Sequence, residues 1–119
     1  MRHEKTTVYK KSLELMEVAH EVIEQLPRGF SFLADQLRRN TSSVAHNFAE
    51  GYYQRSVRQQ RRFFGYAIQS ARESSASFDT AHCFKAAQHT SIAKGKSLAL
   101  ELVKMLSKFG PNEPAGSEP

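Results

Sequence analysis

The 119-residue sequence has no tryptophan, one cysteine, four prolines and six glycines, and each scarcity excludes something. The lone Cys83 cannot close an internal disulfide, and without a CxxC pair or a Cys/His cluster at zinc spacing no metal site is expected. No apolar run approaches the roughly 20 residues of a spanning helix, so no membrane partner is expected. Met1-Arg2-His3-Glu4-Lys5 leads into no apolar signal region. With a single thiol, a reducing cytoplasm is the expected setting. Gly-rich phosphate loops and clustered carboxylate pairs are missing too, which leaves nucleotide and glycosidase chemistry without a foothold. Acidic residues are the minority charge, 12 Asp and Glu against 17 Lys and Arg, for a net charge of +5. That balance favours anionic partners.

What the chain does have is helical periodicity over about one domain's length. Val8, Leu15, Met16, Ala19, Val22, Ile23 and Leu26 recur at steps that place them on one helical face, predicting a first helix over residues 7–26. Pro27-Arg28-Gly29 ends it, because proline cannot donate to the helix ladder and restricts the residue before it. Glu14, Glu17, Glu21 and Glu24 form an acidic stripe outside that face, behind Lys10. It reads either as a solvated face or as a contact for a basic surface on a neighbouring subunit.

Ser31 is the expected cap of the second helix. On it Leu33, Leu37, Asn40, Val44, Asn47, Phe48 and Gly51 share one inward arc. An unpaired amide among apolar neighbours costs about 1–3 kcal/mol, so Asn40 and Asn47 are expected to bond to a facing helix. Gly51 implies either a close helix contact or a left-handed helix end. Ser56-Val57-Arg58-Gln59 has the form of a capping box and starts the third helix. Its inward arc holds Val57, Phe64, Ala67, Ile68, Ala71, Ser74, Ser75, Phe78 and His82, with small residues in the middle that invite close packing. Arg58, Arg61, Arg62 and Arg72 lie on one flank and Phe63 and Tyr66 on the other; with Tyr52, Tyr53 and Phe32 these aromatics imply a second contact surface.

Thr90 or Ser91 is the expected cap of a fourth helix whose Ile92, Gly95, Leu98, Ala99, Leu102, Val103, Leu106 and Phe109 make one apolar side. Lys94, Lys96, Lys104 and Lys108 stay outside it. Gly110-Pro111 ends the pattern. The expected organisation is a flexible N-terminus over residues 1–6, a helical domain over 7–109 and a disordered tail over 110–119. Four helices with short connections specify an all-α, up-down-up-down antiparallel four-helix bundle. The chain is organised around residues 43–64, where one helix ends, a tight basic corner turns, and the next begins.

No catalytic constellation is expected. His46 and Glu50 share a helix face but lack the second histidine of a zinc-protease helix, and an i,i+4 pair is ordinarily a weak salt bridge. His82 and Cys83 are adjacent, so on a helix they point about 100° apart and cannot pair as base and nucleophile. His82 is expected in the core. The chain is expected to be neither an enzyme nor a cofactor binder.

The run from Ser43 to Gly51 with its Asn47-x-Ala49-Glu50-Gly51 centre, then Arg62-Phe63-Phe64-x-x-Ala67 and Ser70-x-x-Glu73, resembles the four-helix bundle family typified by the 23S rRNA intervening-sequence protein. The Leu26-Pro27 break and Leu33-Ala34-x-Gln36-Leu37-Arg38-Arg39 fit the same pattern. One departure is Gln69, where the family usually has glycine. The resemblance implies structural roles for Asn47, Glu50, Gly51 and Glu73, and assembly as a ring-shaped homopentamer. A related branch, the accessory variability proteins of diversity-generating retroelements, binds nucleic acid and a reverse transcriptase.

Two function classes are carried forward. In the first, a nucleic-acid-binding or ribonucleoprotein accessory module, Arg55, Arg58, Arg61, Arg62 and Arg72 contact the phosphates of RNA or DNA without reading sequence. In the second, an oligomeric adaptor binds another protein, such as a reverse transcriptase, and the arginines pair with the acidic stripe of a neighbouring subunit.

Overall fold

Apolar residues recurring every three to four positions fold residues 3–109, the part of the chain that the computed structural model describes, into helices: α1 (His3–Gln25), α2 (Ser31–Tyr52), α3 (Val57–Cys83) and α4 (His89–Ser107). There is no strand among the described residues. The expected tail over residues 110–119 lies outside them.

Cross-helix contacts fix the direction of every helix. Tyr9 meets Phe48 and Lys5 meets Tyr52, so α1 and α2 run antiparallel. Asn40 bonds Ser77 while Phe48 stacks on Phe64, which makes α2 and α3 antiparallel. Asp79 pairs with Lys96 and Phe64 approaches Phe109 across α3 and α4. Gln25 bonds Ser91 and Lys11 pairs with Glu101, closing α4 back onto α1. Each helix packs on its two neighbours, and the backbones of the diagonal pairs α1/α3 and α2/α4 do not approach each other. This is the up-down-up-down bundle that the periodicity implies.

The core sits along the bundle axis. Leu15, Val22, Leu33, Leu37, Val44, Phe48, Ala67, Ala71, Phe78, Ala99, Leu102 and Leu106 are fully buried. Burial reaches further round the helices than the expected arcs, taking in Ser12, Val18, Thr41, Ser70 and Ser77. Three of the hydroxyls turn back on their own helix, Ser12 Oγ donating to the Tyr9 carbonyl at 2.7 Å, Thr41 Oγ1 to the Leu37 carbonyl at 2.7 Å and Ser77 Oγ to the Glu73 carbonyl at 3.1 Å, while Ser70 Oγ crosses to Ser43 Oγ. A buried hydroxyl satisfied by its own helix avoids the penalty of an orphaned polar group.

Several helix-end expectations are corrected. Helix α1 starts at His3, not residue 7, and the Lys5 ammonium lies 5.4, 5.6 and 5.6 Å from the ring centroids of Tyr52, Phe64 and Phe109, a cation–π contact that ties its first turns down. Ser31 is the first helical residue, not the cap; the Phe30 carbonyl before it accepts from the Leu33 and Ala34 amides. Helix α4 begins at His89, ahead of both Thr90 and Ser91. Gln25 explains this, because its Oε1 accepts from the Gln88 amide at 2.7 Å while its Nε2 donates to Ser91 Oγ at 3.1 Å. The buried Ser91 hydroxyl then donates to Glu21 Oε1, so it serves α1 instead of its own helix end. Val57 and His82, both placed on the inward arc of α3, are exposed. They occupy its first and last turns. His82 instead faces His89 across the α3–α4 connection, ring centroids 5.7 Å apart.

The bundle has two unlike ends. At one, the connections over residues 26–30 and 84–88 bring Phe30 against Phe32 and Phe84, at centroid distances of 5.8 and 5.6 Å. At the other lies the short corner between α2 and α3, beside the start of α1 and the end of α4.

Candidate nucleic-acid interface

The corner begins with the last turn of α2, where glycine has a steric reason. A Cβ on Gly51 would lie 2.8 Å from Cδ1 and Cε1 of Phe64, closer than carbon atoms approach. The residue is helical, and among the described glycines only Gly29 has a positive φ, of 99°. Of the two explanations for Gly51, the close helix contact is therefore the one the structure supports. Phe64, 2% exposed, stacks on Phe48 with centroids 5.4 Å apart, so α2 and α3 meet ring on ring at the corner.

The turn over residues 53–56 is held from both sides. Ser56 Oγ accepts from the Gln59 amide at 3.0 Å, as its serine position predicts, and Gln60 Nε2 donates back to the Gln54 carbonyl at 2.9 Å. About three turns down α2 from the corner, Asn40 Nδ2 donates to Ser77 Oγ on α3 at 3.1 Å, the facing-helix partner it was expected to find. Asn47 differs. Its Nδ2 donates to the carbonyl and Oγ of Ser43 on its own helix, at 2.9 and 2.8 Å, and Ser43 in turn accepts from Ser70 Oγ of α3 at 2.8 Å. The half-buried Asn47 sits on the flank of the contact, where Ser43 one turn back is nearer than α3, so it joins the helices at second hand.

Arg55 in the turn and Arg58, Arg61, Arg62 and Arg72 on α3 are all exposed. Neither Arg55, Arg58 nor Arg72 has a carboxylate within ion-pair distance among the described residues. Arg62 Nε donates to Tyr66 Oη at 2.7 Å, and Tyr66 packs edge-on against Phe63. At 1.5 Å of rise per residue, Arg72 lies about 15 Å beyond Arg62 along α3, so the corner gathers Arg55, Arg58, Arg61 and Arg62 but not Arg72. No acidic residue occurs from Gly51 to Arg72. Glu50 and Glu73 bracket that run; both are exposed, and Glu73 lines a polar groove of about 360 Å³ between α2 and α3 with Arg39, Asn40 and Ser77.

The acidic stripe lies elsewhere. Glu17, Glu21 and Glu24 are exposed on α1, the helix diagonal to α3. Within one chain the two charged faces therefore point to opposite sides and cannot neutralise each other at contact. No group of three or more His, Cys, Asp or Glu side chains is placed to hold a metal among the described residues, and no described helix is long and apolar enough to cross a membrane.

The sequence pattern of the 23S rRNA-intervening sequence protein family matches residues 4–108, a span that takes in nearly all of the four helices. The chain belongs to the 23S rRNA-intervening sequence protein family. A comparison with curated proteins finds no match. In this member of the family the Asn47-x-Ala49-Glu50-Gly51 run occupies the α2 side of the corner, with Gly51 admitting Phe64 and Asn47 ordering Ser43. Lys5 completes the corner, a contribution that sequence reasoning missed. Nothing in its spacing distinguishes it from a solvated lysine; only the fold brings Tyr52 of α2, Phe64 of α3 and Phe109, two residues past the end of α4, around its ammonium.

Proposed function

We propose that the protein is a non-catalytic basic scaffold that assembles as a closed homo-oligomer, a pentameric ring, and binds the phosphate backbone of nucleic acid through the α2–α3 corner. The observation that carries this reading is the exposure of Arg55 and Arg58, neither of which meets a carboxylate among the described residues. Exposed guanidiniums bind phosphate bidentately and release counterions, which gives affinity without base readout. Repeating the corner around a ring adds avidity, because several weak patches engage one polyanion. The family description, which refers to 23S rRNA, makes RNA the first ligand to test, and a cytoplasmic setting accords with that.

A second reading has its own support. The acidic stripe on α1 and the arginines on α3 lie on opposite sides of one chain, the arrangement that head-to-tail subunit pairing uses. In that reading the arginines serve assembly and the ring is an adaptor for another protein, such as a reverse transcriptase. The deciding experiment reverses Arg55 and Arg58, then Arg58, Arg61 and Arg62, to Glu, with oligomer mass verified. Nucleic-acid reading requires RNA affinity to collapse and the slope of log affinity against log salt to shrink by about 0.7 for each lost single-strand contact. Unchanged binding clears these residues of the role.

A further inference from the structure

We propose that the α2–α3 corner is a single-strand site, in which the Tyr53 ring stacks on an unpaired base while Arg55 and Arg58 hold the flanking phosphates. The inference rests on the nucleic-acid reading above and adds the class of ligand to it. Tyr53 is 75% exposed, the most exposed of the large apolar side chains described. Folding gives little account of an aromatic there, since three quarters of the residue is exposed and the turn is held by Ser56, Gln60 and backbone bonds to Gly51.

The ring is nevertheless positioned. Tyr53 caps α2 with φ −91° and ψ 2°, and the Tyr53 and Gln54 amides both reach back to the Gly51 carbonyl. Tyr52 meets it edge to face, centroids 5.0 Å apart and planes at 89°, and Tyr52 is itself fixed beneath the Lys5 ammonium at 5.4 Å. At 75% exposure that contact covers at most one face of Tyr53 and leaves the other open. The Cα atoms of Tyr53 and Arg55 are no more than about 7 Å apart, because two residues of extended chain reach no further. An open aromatic face beside exposed guanidiniums, with no acidic residue from Gly51 onward to Arg72, is the pairing of stacking platform and cationic track that single-strand binders use. A duplex cannot use the platform, because its base faces are already stacked on each other. The ring therefore selects unpaired strands without selecting sequence, every base having a π-face to offer.

The test compares wild type with Tyr53→Ala, Tyr53→Phe and Tyr53→Leu on an oligoadenylate strand and on an RNA duplex of equal length, at one salt concentration and then across a salt series. Tyr53→Ala is expected to weaken single-strand binding roughly 5- to 150-fold, the range for loss of one stacked base. Tyr53→Phe keeps the affinity and Tyr53→Leu loses most of it. Duplex affinity and the salt slope on either ligand stay as in wild type, because the phosphate contacts remain. Circular dichroism checks that each variant keeps its helices. Equal losses on strand and duplex, or unchanged single-strand binding by Tyr53→Ala alongside collapse in Arg55→Glu/Arg58→Glu, overturn the stacking role and leave phosphate binding standing. Wild type binding neither ligand at low salt overturns both readings, and loss of a protein contact in Tyr53→Ala would then assign the ring to the adaptor.

Discussion

Replacing Gly51 by alanine tests the geometry on which the corner depends. On helix propensity alone the change is favourable, by up to about 1 kcal/mol in a helix interior and less next to a helix end. Gly51 is the penultimate residue of α2, so the smaller figure applies. Against it stands the added Cβ, 2.8 Å from two carbons of a Phe64 ring that is 2% exposed and wedged on Phe48. The ring cannot swing into solvent, and overfilling a closed core costs about 1–3 kcal/mol. Packing wins. Gly51→Ala is expected to destabilise the protein by about 1–2 kcal/mol and to lower the melting temperature by roughly 4–10 °C, measured at fixed protein concentration because the assembly proposed above would contribute to apparent stability. The cause is checked with Phe64→Leu in a double-mutant cycle. A smaller side chain makes room for the methyl, so the pair should cost at least about 1 kcal/mol less than the two single changes together. A glycine required for left-handed backbone would instead give additive costs. An alanine variant at least as stable as wild type refutes the steric account outright.

Two further changes probe the joints between the helices, one at mid-bundle and one at the corner. Asn40→Leu removes the amide that crosses to Ser77 and is expected to cost about 1 kcal/mol in urea unfolding, with Ser77→Ala costing little more once Asn40 is gone; additive losses would show that the two side chains act separately. Lys5→Gln withdraws the ammonium from the rings of Tyr52, Phe64 and Phe109, so amide exchange in the first turns of α1 should quicken while the middle of α3 stays protected; equal rates in wild type and variant would deny the clasp any role.

The helices and their inward faces were legible because burial follows angle around a helix, and angle follows residue number. Position along the axis is not encoded that way, which is why Val57 and His82 have core angles yet lie exposed in the end turns of α3. Caps failed for a related reason. Ser91 has the right chemistry for an N-cap, but Gln25 and Glu21 of α1 claim its hydroxyl, and that competition exists only after folding. At Ser56 no distant side chain claims the hydroxyl, and there the serine half of the capping box formed. The grouping of Arg55, Arg58, Arg61 and Arg62 at one corner was legible from residue number and helical rise. Their expected separation from the aromatic flank did not hold, because Arg62 reaches across to bond Tyr66. Tyr53 and Lys5 were visible only as an aromatic and a cation; their partnership with Tyr52 needed the corner to close.

Salt separates the two functional readings, because they put the same arginines to different work. Helices α1 and α3 are diagonal, so a ring built head to tail would bring the arginine face of one subunit against the Glu17, Glu21 and Glu24 face of the next. Exposed ion pairs are worth about 0.2–1 kcal/mol each, and screening shortens from about 10 Å at 0.1 M salt to 3 Å at 1 M. Assembly resting on such pairs should loosen steadily across that range. Assembly resting on apolar contact should not, because salts that are excluded from protein surfaces strengthen burial. The half-buried Phe63, beside Gly51, and the exposed Tyr66 supply apolar surface on the α2–α3 side, the exposed Leu100 adds some on α4, and Met16 with Ile23 lines a groove of about 250 Å³ between α1 and α2. We therefore expect light scattering to give one oligomer mass from low to high salt, while RNA affinity measured in the same series falls log-linearly at about −0.7 per phosphate contact on single strands. The opposite pattern, subunit mass falling with salt and no RNA bound at any salt, would mean that the arginines are spent on their neighbours, and the ring would then have to be read as an adaptor whose partner is a protein.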